Sequence, residues 1–112
     1  MRSLIFVGSS LADLRAFPEA VRREAGFQLH AVQCGDEPSD WKTLPSIAHG
    51  VTEIRIHSAG EWRIIYVAKF NDTLYVLHCF RKRTRKIPKV DAAIVRSRYK
   101  EIGDRKWQQN KT

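Results

Sequence analysis

Cysteine is scarce in this chain of 112 residues, and the two present, Cys34 and Cys79, lack the CxxC or Cys/His spacing that zinc requires. Both read as reduced, structural thiols, one at the end of an expected helix and one inside an expected strand. Long apolar runs are missing as well. The uninterrupted run at the start, Leu4-Ile5-Phe6-Val7, is far too short for a signal peptide or a membrane span. The expectation is a cytoplasmic protein with no membrane partner. Familiar catalytic signatures are absent too: there is no GxSxG, no Walker loop, no HExxH and no Asp-x-Asp pair of the kind that holds magnesium. Any catalysis is therefore expected to use neither metal nor cofactor. Repeats, low-complexity tracts and Pro/Gly/Ser-rich linkers are also lacking, so the chain reads as one domain over 1–104. A basic tail, expected to be flexible, follows over 105–112.

Acidic residues are the last scarcity, and theirs is local. Residues 1–80 carry eight Lys/Arg against nine Asp/Glu, whereas residues 81–112 carry twelve against three. The whole excess of the net +8 charge thus sits in the last third. Such a zone usually meets a polyanion, because each neutralised phosphate releases counterions and adds salt-sensitive affinity. Elsewhere the composition is that of an ordinary globular chain, 43% hydrophobic and 29% charged, which leaves room for a modest core.

The pattern of apolar residues supplies the elements. A strand over about Ser3–Val7 ends at Gly8, and Ser10, with Asp13 three residues on, opens a short helix as its N-cap. Pro18 interrupts and restarts that helix. Val21, Ala25, Leu29 and Val32 then fall at helical spacing until Gly35 stops it. The stretch from Gly35 to Gly50 reads as a loop rich in Asp, Pro and Ser, tucked in by Trp41, Leu44 and Ile47. Val51–His57 alternates with a period of two, Ser58-Ala59-Gly60 supplies a turn, and Trp62–Lys69 pairs back. Asn71-Asp72 makes the next turn, and Leu74–Phe80 is apolar enough to be central. After Pro88 a last helix starts near Asp91, with Ala92, Val95, Tyr99 and Ile102 on one stripe and Gly103 as its stop. The expected fold is α+β: a small antiparallel sheet, made of the N-terminal strand plus the three-stranded meander, packed against N-terminal helices, with a C-terminal helix.

On that sheet the chemistry-bearing residues are cations. With a three-residue hairpin loop Arg55 and Arg63 oppose each other with His57 beside them, whereas a one-residue slip separates them; Arg81, Lys82 and Arg83 leave the third strand. Like charges placed directly across a sheet repel, so they call for an anion or for a neighbouring counter-charge such as Glu53. Phosphate suits them. RNA is cut without a metal when its own 2′-hydroxyl attacks the adjacent phosphate, which requires alignment, charge neutralisation and proton transfer. Arginine forks suit the neutralisation, His57 has the pKa range for the proton transfer, and Tyr66 falls on the wrong face. Plainer readings stand beside these: exposed strand positions for Arg55 and Arg63, structural roles for His57 and His78, and a solvated or partner-docking run over Arg81–Lys86.

Five short motifs in order sharpen the choice. They are Leu44, then Glu53-Ile54-Arg55, then Trp62-Arg63-Ile64-Ile65-Tyr66, then Leu77-His78-Cys79-Phe80 running into Arg81-Lys82-Arg83-Thr84-Arg85-Lys86-Ile87-Pro88, and a closing helix with Ala92 or Ala93 and Arg96. Together they resemble the RelE/ParE toxin superfamily, most closely its HigB-like, phage-derived branch. The resemblance implies a RelE-like fold and the toxin of a type II toxin-antitoxin system. It further implies a ribosome-dependent endoribonuclease, or mRNA interferase, that cuts mRNA in the decoding site, inhibits translation and growth, and is silenced by a helix-turn-helix antitoxin. Carried over by position, Arg55, His57, Arg63 and Arg81 are the catalytic candidates, and Lys82, Arg83, Arg85 and Lys86 the RNA-binding ones. The proton acceptor stays open among His57, Glu53 and Tyr66; Lys86-Ile87-Pro88 stands where some relatives place a tyrosine. The alternatives are ParE-like poisoning of DNA gyrase on the same fold and a non-catalytic RNA- or partner-binding module.

Overall fold

Side chains that alternate along each strand leave the sheet two apolar faces, and helices cover both. The computed structural model describes residues 1–69 and 72–110, with positions 69 and 104–110 described in backbone only. Its elements run β1 (Ser3–Phe6), α1 (Ser10–Arg15), α2 (Glu19–Gln33), β2 (Trp41–Thr43), β3 (Val51–His57), β4 (Glu61–Lys69), β5 (Thr73–Arg81) and α3 (Lys89–Asn110). The fold is α+β, compatible with a small RelE-like domain, around one sheet of order β1-β5-β4-β3-β2.

The meander is where the sequence puts it. β3 pairs antiparallel with β4, and β4 with β5. The sheet as a whole departs from the antiparallel expectation: β1 lies parallel beside β5, from Ser3 opposite Thr73 to Phe6 opposite Val76. Its own residues do not reveal that neighbour, because α1 and α2 first carry the chain across one face to the far edge. There the expected loop after Gly35 contributes a strand of its own, β2, whose Lys42 lies opposite Glu53. Three exposed residues show no alternation to read. The expected turn at Asn71-Asp72 lies, except for Asp72, outside the described residues.

One face packs Leu14 and Phe17, then Val21, Ala25, Leu29 and Val32 of α2, against Ile54, Ile56, Trp62, Ile64 and Val76. The helical stripe read from the sequence is thus the buried one. The other face packs Val95 and Ile102 of α3 against Val51, Ile65, Val67, Leu77 and Phe80. Ser9 rather than Ser10 stands at the α1 N-cap; Ser10 is buried and donates to the Val76 carbonyl at 3.1 Å. α3 begins at Lys89 and passes through Gly103 instead of stopping there. A mid-helix glycine costs about 1 kcal/mol against alanine, and burial of Ile102 next to it offsets that cost. The backbone of 105–110 belongs to α3, while the side chains of the expected basic tail lie outside the described residues. No described helix is long and apolar enough to cross a membrane.

A bulge in β5 decides which way the end of that strand faces. Ile65 pairs with His78 and Tyr66 with Val76, leaving Leu77 as the extra residue. Two consecutive side chains, Leu77 and His78, therefore face α3: Leu77 joins that core, and His78 Nε2 bonds Asp91 of α3 at 2.7 Å. Beyond the bulge, Arg81 turns to the α2 face and Lys82 to the α3 face. A one-residue shift exchanges the two.

Candidate functional site

The β3–β4 turn fixes the first part of the site. Ala59 (φ 49°) and Gly60 (φ 139°) take left-handed conformations that close a three-residue loop and set Arg55 directly opposite Arg63. Both arginines share a sheet face with Glu53, and the carboxylate resolves their repulsion. Glu53 Oε1 accepts from Arg55 Nε at 3.0 Å and lies 3.7 Å from Arg63 Nε. Arg63 is not an exposed strand residue: its side chain is 6% exposed, as against 29% for Arg55. Glu53 is buried more deeply still, and its Oε2 has no hydrogen-bond partner among the described residues.

From Arg63 the ion pairs continue outward. Arg63 Nη2 donates to Glu61 Oε1 at 3.1 Å, and Glu61 in turn accepts from His57 Nδ1 at 2.7 Å. The other ring nitrogen, His57 Nε2, donates to Asp40 Oδ2 at 2.6 Å. Ionised carboxylates only accept, so both nitrogens must carry protons and the arrangement selects the imidazolium. Accordingly the hydrogen bond to Asp40, then that to Glu61, raises the His57 pKa above its ordinary value. The same contact with His57, with Arg63 adding to it, holds Glu61 below the usual carboxylate range. His57 lies beside the two arginines as the sequence suggests, yet neither nitrogen is free to take a proton from a substrate.

Next to this chain of paired charges lies a groove of about 660 Å³ whose cations line it without an ion pair among the described residues. Lys42 comes from β2, Lys82, Arg85 and Lys86 from the segment after β5, and Lys89 and Arg96 from α3; Glu53 is the one acid among its lining residues. Leu44, Ile47, Ile87 and Ala92 give it an apolar wall. Partial burial first, then the charges of Arg63, Arg55 and Lys42, lowers the Lys82 pKa against the opposing pull of Glu53. A lysine in that state is a stronger acid than a free one.

Of the residues singled out in the sequence, Lys82, Arg85 and Lys86 line the groove with Glu53, and Arg55 and Arg63 adjoin it through their ion pairs with Glu53. The structure separates Arg81, which turns away over Trp62 with its guanidinium 5.2 Å from the ring centroid, and Arg83, which is exposed and does not line the groove. Tyr66 is on the α2 face, where burial raises its pKa and keeps the phenol protonated. Burial likewise pushes the Cys79 thiol up to about 12, which suits an inert core residue. Five residues were not among the site candidates, though Arg96 is part of the closing-helix motif. Lys42 and Asp40 sit in the stretch read as loop, Lys89 and Arg96 join only through α3, and Glu61 flanks the turn four residues after His57. That last spacing was the available signal, since a three-residue loop sets 57 opposite 61. Among the described residues no group of three or more His, Cys, Asp or Glu is placed to hold a metal ion; Asp40 and Glu61 stand at opposite nitrogens of one imidazole.

A family model described as phage derived protein Gp49-like (DUF891) matches residues 12–100. That span contains the groove and the entire ion-pair chain. No curated protein matches the chain.

Proposed function

The chain belongs to the Gp49-like, phage-derived family, a RelE-like toxin family of toxin-antitoxin systems, and on that premise we propose that it is a HigB-like, ribosome-dependent endoribonuclease that cuts mRNA without a metal. Membership implies an antitoxin partner; the reading adds that this partner carries a helix-turn-helix and that the toxin works in the ribosomal decoding site, in the cytoplasm. The observation that carries the reading is the cationic groove whose one acidic lining residue among the described residues, buried Glu53, is ion-paired to Arg55 and Arg63 behind it.

In this reading Lys42, Arg85 and Lys86 hold the phosphates of the message, each contact adding salt-sensitive affinity. The 2′-oxygen attacks the adjacent phosphorus, the O2′–P bond forms and the P–O5′ bond breaks. Glu53, which lines the groove and whose buried Oε2 has no partner among the described residues, takes the 2′-hydroxyl proton. Lys82 gives a proton to the leaving 5′-oxygen, as its lowered pKa favours. Arg55 and Arg63 neutralise charge that builds on the phosphorane, and being pre-paired with Glu53 they need little reorganisation to do so. Arg81 and Arg83, outside the groove, contact RNA beyond the cut.

The test is purified protein added to ribosomes translating a defined message. Cuts within the translated frame should carry 2′,3′-cyclic phosphate and 5′-hydroxyl ends. An intact message would overturn the reading, and growth arrest with broken DNA in expressing cells would point to gyrase poisoning instead.

A further inference from the structure

Arg63 depends on a partner that it does not itself secure. Its Nε lies 3.7 Å from Glu53 and makes no hydrogen bond among the described residues, so Glu61, at 3.1 Å, is the carboxylate that holds it by a hydrogen bond. Glu61 is held by His57, and His57 by Asp40 from the segment before β2. The chain Asp40-His57-Glu61-Arg63-Glu53-Arg55 alternates in sign and joins β3, β4 and the segment before β2. Its outer members are about half exposed, and ion pairs that open to water add little to stability. Their geometric effect is larger, because each charge leaves the next with one orientation.

We propose that Asp40 and Glu61 are positioning residues of the RNA-cutting site: Asp40 clamps the His57 ring, His57 orients Glu61, and Glu61 holds the Arg63 fork beside Glu53, which lines the groove. This rests on the RNA-cutting reading given above. It assigns His57 to positioning, as an imidazolium, and leaves the groove cations to bind the message. Besides Asp40 and Glu61, the charged groups that face His57 are Arg55 on its own strand and Glu24 of α2, which lines the same hollow. Neither hydrogen-bonds the ring, so the two carboxylates at its nitrogens govern its charge.

The consequence is a dependence on pH. Asp40→Asn removes the charge facing Nε2 and lets the ring lose its proton at lower pH. Cleavage rates of wild type and variant are compared on the same translating ribosomes from pH 6 to 8.5, where the ratio at each pH cancels the response of the ribosome itself. The ratio of wild type to variant is expected to grow from near one at the acid end to about tenfold at higher pH, with KM within about twofold. Asp40→Glu, which keeps the charge, should recover most of the loss, and Glu61→Gln should cost about tenfold at every pH. A wild type that cuts, beside an Asp40→Asn protein with the same rate and pH profile, overturns the positioning role alone. A wild type that does not cut overturns the RNA reading and this role with it. Should Asp40→Asn fail to fold, the wild type suffices: the Arg63 Hε resonance should move with the same midpoint as the His57 ring, and an Arg63 signal indifferent to that titration overturns the proposal.

Discussion

Two groups of charges adjoin at Glu53, and they differ in how they are balanced. The chain from Asp40 to Arg55 pairs every cation with a carboxylate. The groove beside it gathers six Lys and Arg around the single acid Glu53. Paired charges hold a geometry; unpaired ones seek an anion. A site that cuts a phosphodiester needs both, a fixed fork for the transition state and loose cations for the strand, and here they meet at Glu53.

Four variants separate the two halves, beginning with the largest effect. Arg63→Lys keeps the charge but loses the planar fork, and it should lower the cutting rate about a hundredfold with RNA affinity nearly unchanged. Single-turnover kinetics on translating ribosomes measure both, and a parallel loss of affinity would place Arg63 in the binding half. Replacing Lys82, Arg85 and Lys86 together by Ala should weaken binding to single-stranded RNA at least tenfold and flatten its log-log salt dependence by about 2, at roughly 0.7 for each phosphate contact. Filter binding across salt concentrations tests this, and an unchanged slope would make the groove cations bystanders. Arg81→Ala, on the opposite face, should cost only about threefold in cutting and at most about 1 kcal/mol of stability from its place over Trp62.

The smallest effect concerns stability against pH. The folded-state pKa of His57 is raised, so its contribution is fully present below the unfolded value of about 6.5 and is lost as pH rises through the folded value. The melting temperature of wild type relative to His57→Gln should therefore be higher at pH 6 than at pH 8.5. Equal differences at both would mean that the Asp40 and Glu61 contacts do not form in solution.

Much of the scaffold was legible in the chain. Period-two alternation in Val51–His57 and the Ser58-Ala59-Gly60 turn showed the hairpin but not its register, since a one-residue slip would have parted Arg55 from Arg63; the observed pairing sets them opposite. The stripe Val21, Ala25, Leu29 and Val32 was readable because burial demands a single helical face. What was hidden hangs on single residues. The run Leu77-His78-Cys79-Phe80 is apolar enough for either face, so the bulge at Leu77, and with it the exchange of Arg81 and Lys82, left no mark. β2 hid because three exposed residues among Asp, Pro and Ser have no period, which concealed both Lys42 and Asp40. The burial of Arg63 was invisible since its partners, Glu53 and Glu61, are assembled by pairing across the turn rather than by sequence.

The most direct test of the central claim, that RNA is cut in the groove above Glu53, is transcript-end mapping after induced expression in bacteria. Wild type is compared with Lys82→Glu/Arg85→Glu, a charge reversal at exposed or half-exposed positions. Discrete new ends within translated frames for wild type, lost in the reversed groove while the protein still binds its antitoxin, are what the account predicts. The same ends from both proteins, or none from wild type, would contradict it.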